Sequence, residues 1–135
     1  MSAAPEIIYR KFYMKQTYET GLRGEDAAEF YLTREHGMIC LERRYRTKTG
    51  EIDLILLDQE TVVFAEVKTR QTGDLGNGLA AVNIRKQKRI VNAALLFLMR
   101  RKWMGRSIRF DVIEICRGEI LYVPNAFQPY GYFYH

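Results

Sequence analysis

Two β-rich runs, EIDLILL (51–57) and TVVFAEVK (61–68), flank Asp58-Gln59-Glu60, and no other stretch of this chain leaves so little choice of structure. β-branched and aromatic residues fill both runs, and the short polar break between them is the layout of an antiparallel hairpin. A turn centred between Gln59 and Glu60 pairs residues whose numbers sum to 119, which sets Asp53 opposite Glu66 and Glu51 opposite Lys68. Side chains alternate along a strand, so Glu51, Asp53, Glu66 and Lys68 project from one face. Ile52, Leu54, Val63, Ala65 and Val67 point the other way and supply the apolar side.

The rest of the chain dresses this hairpin. Ala27, Ala28, Tyr31 and Leu32 recur at helical spacing, with Glu25 and Asp26 in the first turn and Gly37 as a stop, which predicts a helix over 23–36. MICLERRY (38–45) reads as a strand that leads into a turn at Thr47-Lys48-Thr49-Gly50. QTGDLGNG (71–78) is a glycine-dense loop, and Ile90, Val91, Ala94, Leu95 and Leu98 mark a second helix over 83–103, with Asn83 as its N-cap. SIRFDVIEIC (107–116) and EILYV (119–123) form a second hairpin that turns at Arg117-Gly118. The order α, β-β-β, α, β-β predicts an α/β chain, an α+β sandwich with one mixed central sheet flanked by helices. Its 135 residues suit one domain: an arm at 1–20, a core at 21–123 and an aromatic tail at 124–135.

Several classes of chemistry are excluded early. Cys40 and Cys116 stand far apart with no C-x-x-C, so a cysteine-built zinc site is not expected and a reducing compartment is. His36 and His135 are the only histidines, which leaves almost nothing for a Ser-His or Cys-His pair. The first residues break every apolar run with charge, and the longest apolar stretch, Ala93–Met99, falls far short of the ~20 residues that span a bilayer. The expectation is a cytoplasmic protein with no membrane partner.

Two carboxylates directly opposite on a hairpin have Cβ atoms about 5 Å apart. At an effective dielectric of 20 their charges repel by roughly 3 kcal/mol. Lys68 offsets part of that, and a divalent cation held by both carboxylates would offset more. Oxygen-only ligands with room for water point to Mg2+ or Mn2+. Glu51 is at best a substitute ligand. Glu25 shares a helix stripe with Ala28 and Leu32, so it either reaches over the same sheet or serves the helix dipole. Gln87 lies on the stripe of Ile84, Val91, Ala94 and Leu95, either as a satisfied core amide or as a group that orients a phosphate or water.

Twenty-one Lys plus Arg against 16 Asp plus Glu leave a net charge of +5, and these cations cluster. Arg43, Arg44, Arg46 and Lys48 precede the acidic hairpin, and Arg70, Arg85, Lys86, Lys88 and Arg89 follow it. Cations on both flanks of a carboxylate cluster would let a nucleic-acid backbone approach a metal that the carboxylates hold. Phe127, Tyr130, Tyr132, Phe133 and Tyr134 form a tail that folds onto the sheet or crosses a dimer seam; base stacking is the other use of such a tail.

GEIDLI (50–55) and VFAEVKTR (63–70), taken with GEDAAEFYL (24–32), KQKRI (86–90) and RFDV (109–112), resemble the bacterial YraN-like family. That family is placed in the restriction-endonuclease-like, or PD-(D/E)XK, nuclease superfamily, near the Holliday-junction resolvases. The resemblance implies a restriction-endonuclease-like core and metal-dependent hydrolysis of phosphodiester bonds in DNA, with branched or structured DNA among the expected substrates. It makes Asp53, Glu66 and Glu25 the Mg2+ or Mn2+ ligands, Lys68 the catalytic lysine and Gln87 the helix glutamine of resolvase-like members. A homodimer is implied by analogy with enzymes that cut two strands symmetrically. Ile52 replaces the proline of the superfamily name, and Arg44 stands where YraN-like sequences usually carry asparagine. A different class of function fits the same residues: a non-catalytic nucleic-acid-binding adaptor that retains the nuclease site.

Overall fold

The computed structural model describes the backbone of residues 8–10 and residues 24–70 and 82–129. The glycine loop at 71–78, the rest of the arm, and Tyr130, Tyr132, Phe133 and Tyr134 lie outside the described residues. In chain order the elements are β1 (Ile8–Arg10), α1 (Gly24–His36), β2 (Ile39–Arg46), β3 (Glu51–Asp58), β4 (Thr61–Arg70), α2 (Ile84–Arg101), β5 (Ile108–Cys116) and β6 (Glu119–Phe127). They build one mixed sheet in the order β1-β6-β5-β4-β3-β2, in which β4 and β5 run parallel and every other pair is antiparallel. Parallel neighbours need a long crossover, and α2 lies on the one between β4 and β5.

Alternation along the strands divides the apolar residues between two faces. The exception is Ile52, expected beside Leu54, which packs with Ile55 on the other face, beyond the point where the β3–β4 ladder ends. Leu54, Leu56, Val63, Ala65, Ile113, Ile120 and Tyr122 pack under Ala27, Ala28, Tyr31 and Leu32 of α1. Ile52, Ile55, Val62, Phe64, Phe110 and Val112 pack under Ile90, Val91, Ala94, Phe97 and Leu98 of α2. The chain is therefore the expected α+β sandwich. Central β4 is covered on both sides, so its run from Val62 to Glu66 is buried without interruption. Among the described residues no helix is long and apolar enough to cross a membrane.

Three expected boundaries shift. Asn83 caps α2 as anticipated, with its side-chain oxygen accepting the Lys86 N–H at 2.9 Å. The helix stops two residues early because Lys102 turns left-handed (φ 59°) and the Trp103 N–H closes onto the Leu98 carbonyl at 2.8 Å. The last strand runs on to Phe127 through residues assigned to the tail. Asn125 (φ 53°) bends it there, and its N–H bonds to the Asp111 carboxylate at 2.8 Å, so the apolar alternation breaks while the strand continues. Residues 8–10, placed in an arm, form an edge strand on β6.

Gly50 fixes where α2 sits. Its N–H donates to Thr47 Oγ1 at 3.0 Å, and its carbonyl accepts the Thr47 N–H at 2.8 Å. A Cβ added there would lie 2.1 Å from the Arg89 carbonyl oxygen, so the helix backbone rests directly on this turn. Gly50→Ala is expected to push α2 off the sheet and cost about 1–3 kcal/mol, as overpacking does. Urea unfolding measures it, and an unchanged midpoint would contradict this packing.

Candidate functional site

The hairpin register is the anticipated one from Asp58↔Thr61 back to Leu54↔Ala65, and there the ladder ends. An unbroken ladder would give the next N–H of β4, that of Val67, to the backbone of Ile52. Instead it donates to Asp53 Oδ2 at 2.8 Å. The strands part, and the Asp53 carboxylate replaces a backbone acceptor. One oxygen is thereby anchored, with Asp53 held beside Glu66, which is 5% exposed.

Four charged groups meet here. Lys86 Nζ lies 2.6 Å and Lys68 Nζ 3.4 Å from the same oxygen, Glu66 Oε1. Burial, then the charge of Glu66, pushes the Asp53 carboxyl up to about 7; the Val67 N–H pulls it back and Glu25 adds to the rise. Burial lowers the Lys68 ammonium, helped by its contact with Lys86 and opposed by Glu66. Burial also works against Lys86, but its hydrogen bond to Glu66 carries it above the ordinary lysine value. Asp53, Glu66 and Lys86 open onto a cleft of about 400 Å³ that is lined as well by Glu51, Asn83, Arg85, Arg89 and Ile90.

The folded protein takes up a proton on Asp53 between about pH 7 and pH 4, a range in which an ordinary aspartate, at 3.8, stays charged. Stability should therefore rise as pH falls through that window and be lost as pH climbs back. Asp53→Asn removes the effect. Relative to wild type, this variant is expected to gain up to about 4 kcal/mol between pH 4 and pH 8. Denaturant unfolding at the two pH values checks it, and a pH-independent difference would contradict it.

The remaining candidates are placed less simply. Gly24 presses α1 against Thr69 of β4, which brings Glu25 to the edge of the site. There Glu25 Oε1 accepts from Arg44 Nε at 2.7 Å. Among the described residues no three His, Cys, Asp or Glu side chains converge on one metal position, so the three-acid set with Glu25 is not assembled. The arginine that holds Glu25 is unusual. Consecutive strand residues face opposite ways, but Arg44 has φ 51°, and this turn lets both it and Arg43 reach α1. Arg43 pairs there with Asp26 and, at 3.3 Å, with Glu29. Gln87 donates its amide N–H to the Val82 carbonyl at 3.0 Å, the bonding of a satisfied amide.

The expected cation belt divides into groups. Arg85 and Arg89 wall the cleft, and Lys86 enters the site itself. Arg46 pairs with Glu51 at 3.4 Å and Arg70 with Glu114 at 3.6 Å, while Lys48 and Lys88 are exposed. Two features escaped sequence reasoning. Spacing alone groups Lys86 with the phosphate contacts, whereas its ammonium sits on Glu66. Glu114, 1% exposed, stands beside Lys68 across the parallel β4–β5 pair, a pairing that no hairpin turn announces.

The Asp53–Glu66 pair suits a hard divalent ion. Mg2+ commonly takes one or two carboxylates and fills its remaining positions with water and substrate phosphate oxygens, so two acids suffice without a third. The raised Asp53 carboxyl and the two ammoniums drawn onto Glu66 Oε1 mark a place where positive charge is wanted.

Residues 24–115 match the uncharacterised protein family UPF0102. A UPF0102 protein of Herminiimonas arsenicoxydans is 44% identical over 108 residues, covering 80% of this chain and 86% of that one. One from Geobacter metallireducens is 42% identical over 112 residues, 80% of this chain and 91% of that one. One from Saccharophagus degradans is 42% identical over 115 residues, 84% and 97% respectively.

Proposed function

For a chain that belongs to the uncharacterised protein family UPF0102, we propose the activity that its cleft supports best: divalent-metal-dependent endonucleolytic cleavage of DNA. The observation that carries this reading is the Asp53–Glu66 carboxylate pair in an arginine-walled cleft, with Lys86 and Lys68 both drawn onto Glu66. The restriction-endonuclease-like resemblance of GEIDLI and VFAEVKTR, which carry these same residues, supports it.

Asp53 and Glu66 would hold Mg2+ or Mn2+. Such an ion, when bound, polarises a phosphoryl oxygen and lowers the pKa of an attacking water. Asp53 is kept rigid by the Val67 N–H, so its carboxylate needs no reordering for this work. Lys68 sits beside the carboxylates and offers positive charge to a phosphate that gains negative charge in the transition state. Arg85 and Arg89 would hold flanking phosphates, contacts that weaken with salt. Gln87 helps hold the start of α2 in place, and Glu25 acts on Asp53 through its charge.

Supercoiled plasmid in Mg2+ or Mn2+ tests the proposal. Nicked or linear product that EDTA abolishes is expected; intact circles with every ion would count against hydrolysis. The 2.6 Å Lys86–Glu66 pair favours the second reading, a nucleic-acid-binding adaptor whose acid is satisfied by lysine. That reading predicts salt-sensitive DNA binding without cleavage.

A further inference from the structure

We propose that Lys86 is a resident counter-ion of Glu66 which gives way when the site takes up a divalent cation, and whose ammonium then turns to the incoming phosphate. This rests on the reading of Asp53 and Glu66 as metal ligands. Glu66 Oε1 already receives Lys86 at 2.6 Å and Lys68 at 3.4 Å, so the oxygen nearest both ammoniums is spoken for. The two lysines are held differently. Lys68 projects from the central strand and is mostly covered, whereas Lys86 comes from the first turn of α2 and its side chain is 39% exposed at the cleft. Only Lys86 combines a long, half-exposed stem with open space into which it can swing.

The exchange is favoured by charge and distance. A doubly charged ion about 2.1 Å from a carboxylate oxygen attracts it roughly two and a half times as strongly as an ammonium at the Lys86 distance. Two cations cannot share the oxygen at that range without repulsion, so Lys86 leaves. Arg85 and Arg89 line the same wall, which places the released ammonium in a row that a phosphate backbone would contact. Lys86 thus competes with metal in the free protein and helps to bind substrate in the loaded one. Metal and DNA should consequently bind with positive cooperativity.

Calorimetric titration with Mn2+ in low salt, using wild type, Lys86→Met, Arg89→Met and Glu66→Gln, tests this without reference to cleavage. Lys86→Met is expected to bind Mn2+ about tenfold tighter than wild type. Arg89→Met removes a cleft cation that is not paired with Glu66, and is expected to change affinity less than threefold. Glu66→Gln should lose the binding that Lys86→Met gains. Equal tightening by Lys86→Met and Arg89→Met would overturn displacement in favour of a general field effect. Unchanged or weaker binding by Lys86→Met, with Mn2+ still bound by wild type, would overturn the inference and leave the metal site standing. Absence of Mn2+ binding in both wild type and Lys86→Met would remove the metal site and the inference together.

Discussion

Asp111→Ala is expected to lower stability by about 3–5 kcal/mol, the range for breaking a buried charge pair by removing one partner. Asp111 is 1% exposed, yet its carboxylate gathers four donors. Arg109 Nε lies 2.9 Å from Oδ1 and Arg109 Nη2 3.1 Å from Oδ2, a two-pronged pair. The Tyr122 hydroxyl donates to Oδ2 at 2.5 Å, and the Asn125 N–H donates to Oδ1 at 2.8 Å where the β5–β6 register slips. Alanine leaves the guanidinium with Asp58, at 3.2 Å, and the longer 3.4 Å bond to the Tyr122 hydroxyl, and it leaves that buried hydroxyl and a strand N–H to find new acceptors. Tyr122→Phe removes the bond to Asp111 and the long 3.4 Å one from Arg109 but leaves the ion pair intact, and should cost only about 1–2 kcal/mol. Urea unfolding of the two variants separates them, and equal losses would mean that the carboxylate does not organise this end of the sheet.

Glu66→Gln is expected to reduce cleavage at least about 10³-fold, equivalent to ~4 kcal/mol in the barrier, while the protein stays folded. Glutamine keeps the size of the side chain and removes its charge, so the proposed metal would lose a charged ligand without a cavity opening. Two opposing effects limit the change in stability. The repulsion that helps push the Asp53 carboxyl up disappears, but Lys68 and Lys86 lose their shared partner. Arg85 and Arg89 remain, so DNA affinity should stay within a few-fold of wild type. Cleavage, circular dichroism and a gel shift on one preparation measure all three quantities. Wild-type cleavage by the variant would remove Glu66 from the chemistry.

How far the site could be read from residues alone depended on the range of each interaction. The two-residue turn at Gln59-Glu60 sets the register of β3 and β4, so the meeting of Asp53 and Glu66 followed from counting. What counting could not show was that the ladder breaks there and that Val67 turns its N–H onto the aspartate. Lys86 and Glu66 are brought together by tertiary packing, because α2 crosses the sheet with its backbone against Gly50. Periodicity put Lys86 on a helix but could not aim its ammonium. Likewise the helix stripe brought Glu25 to the right end of α1, while its partner depended on Arg44 adopting φ 51° inside a strand. Asparagine visits that conformation more readily than arginine, so nothing in the local preference of Arg44 announces the turn. The polar break at Pro124-Asn125 resembled the end of a strand because Asp111, far away in sequence, supplies the acceptor that lets it continue.

The most direct test of the central claim is cleavage of linear duplex, flapped and four-way-junction DNA in Mg2+ and in Mn2+, with wild type and Glu66→Gln purified in parallel. The account predicts metal-dependent scission by wild type, inhibition by EDTA and no product from the variant, with the best-cut DNA naming the substrate class. Binding of every substrate without scission in either metal, or scission that survives in Glu66→Gln, would contradict it.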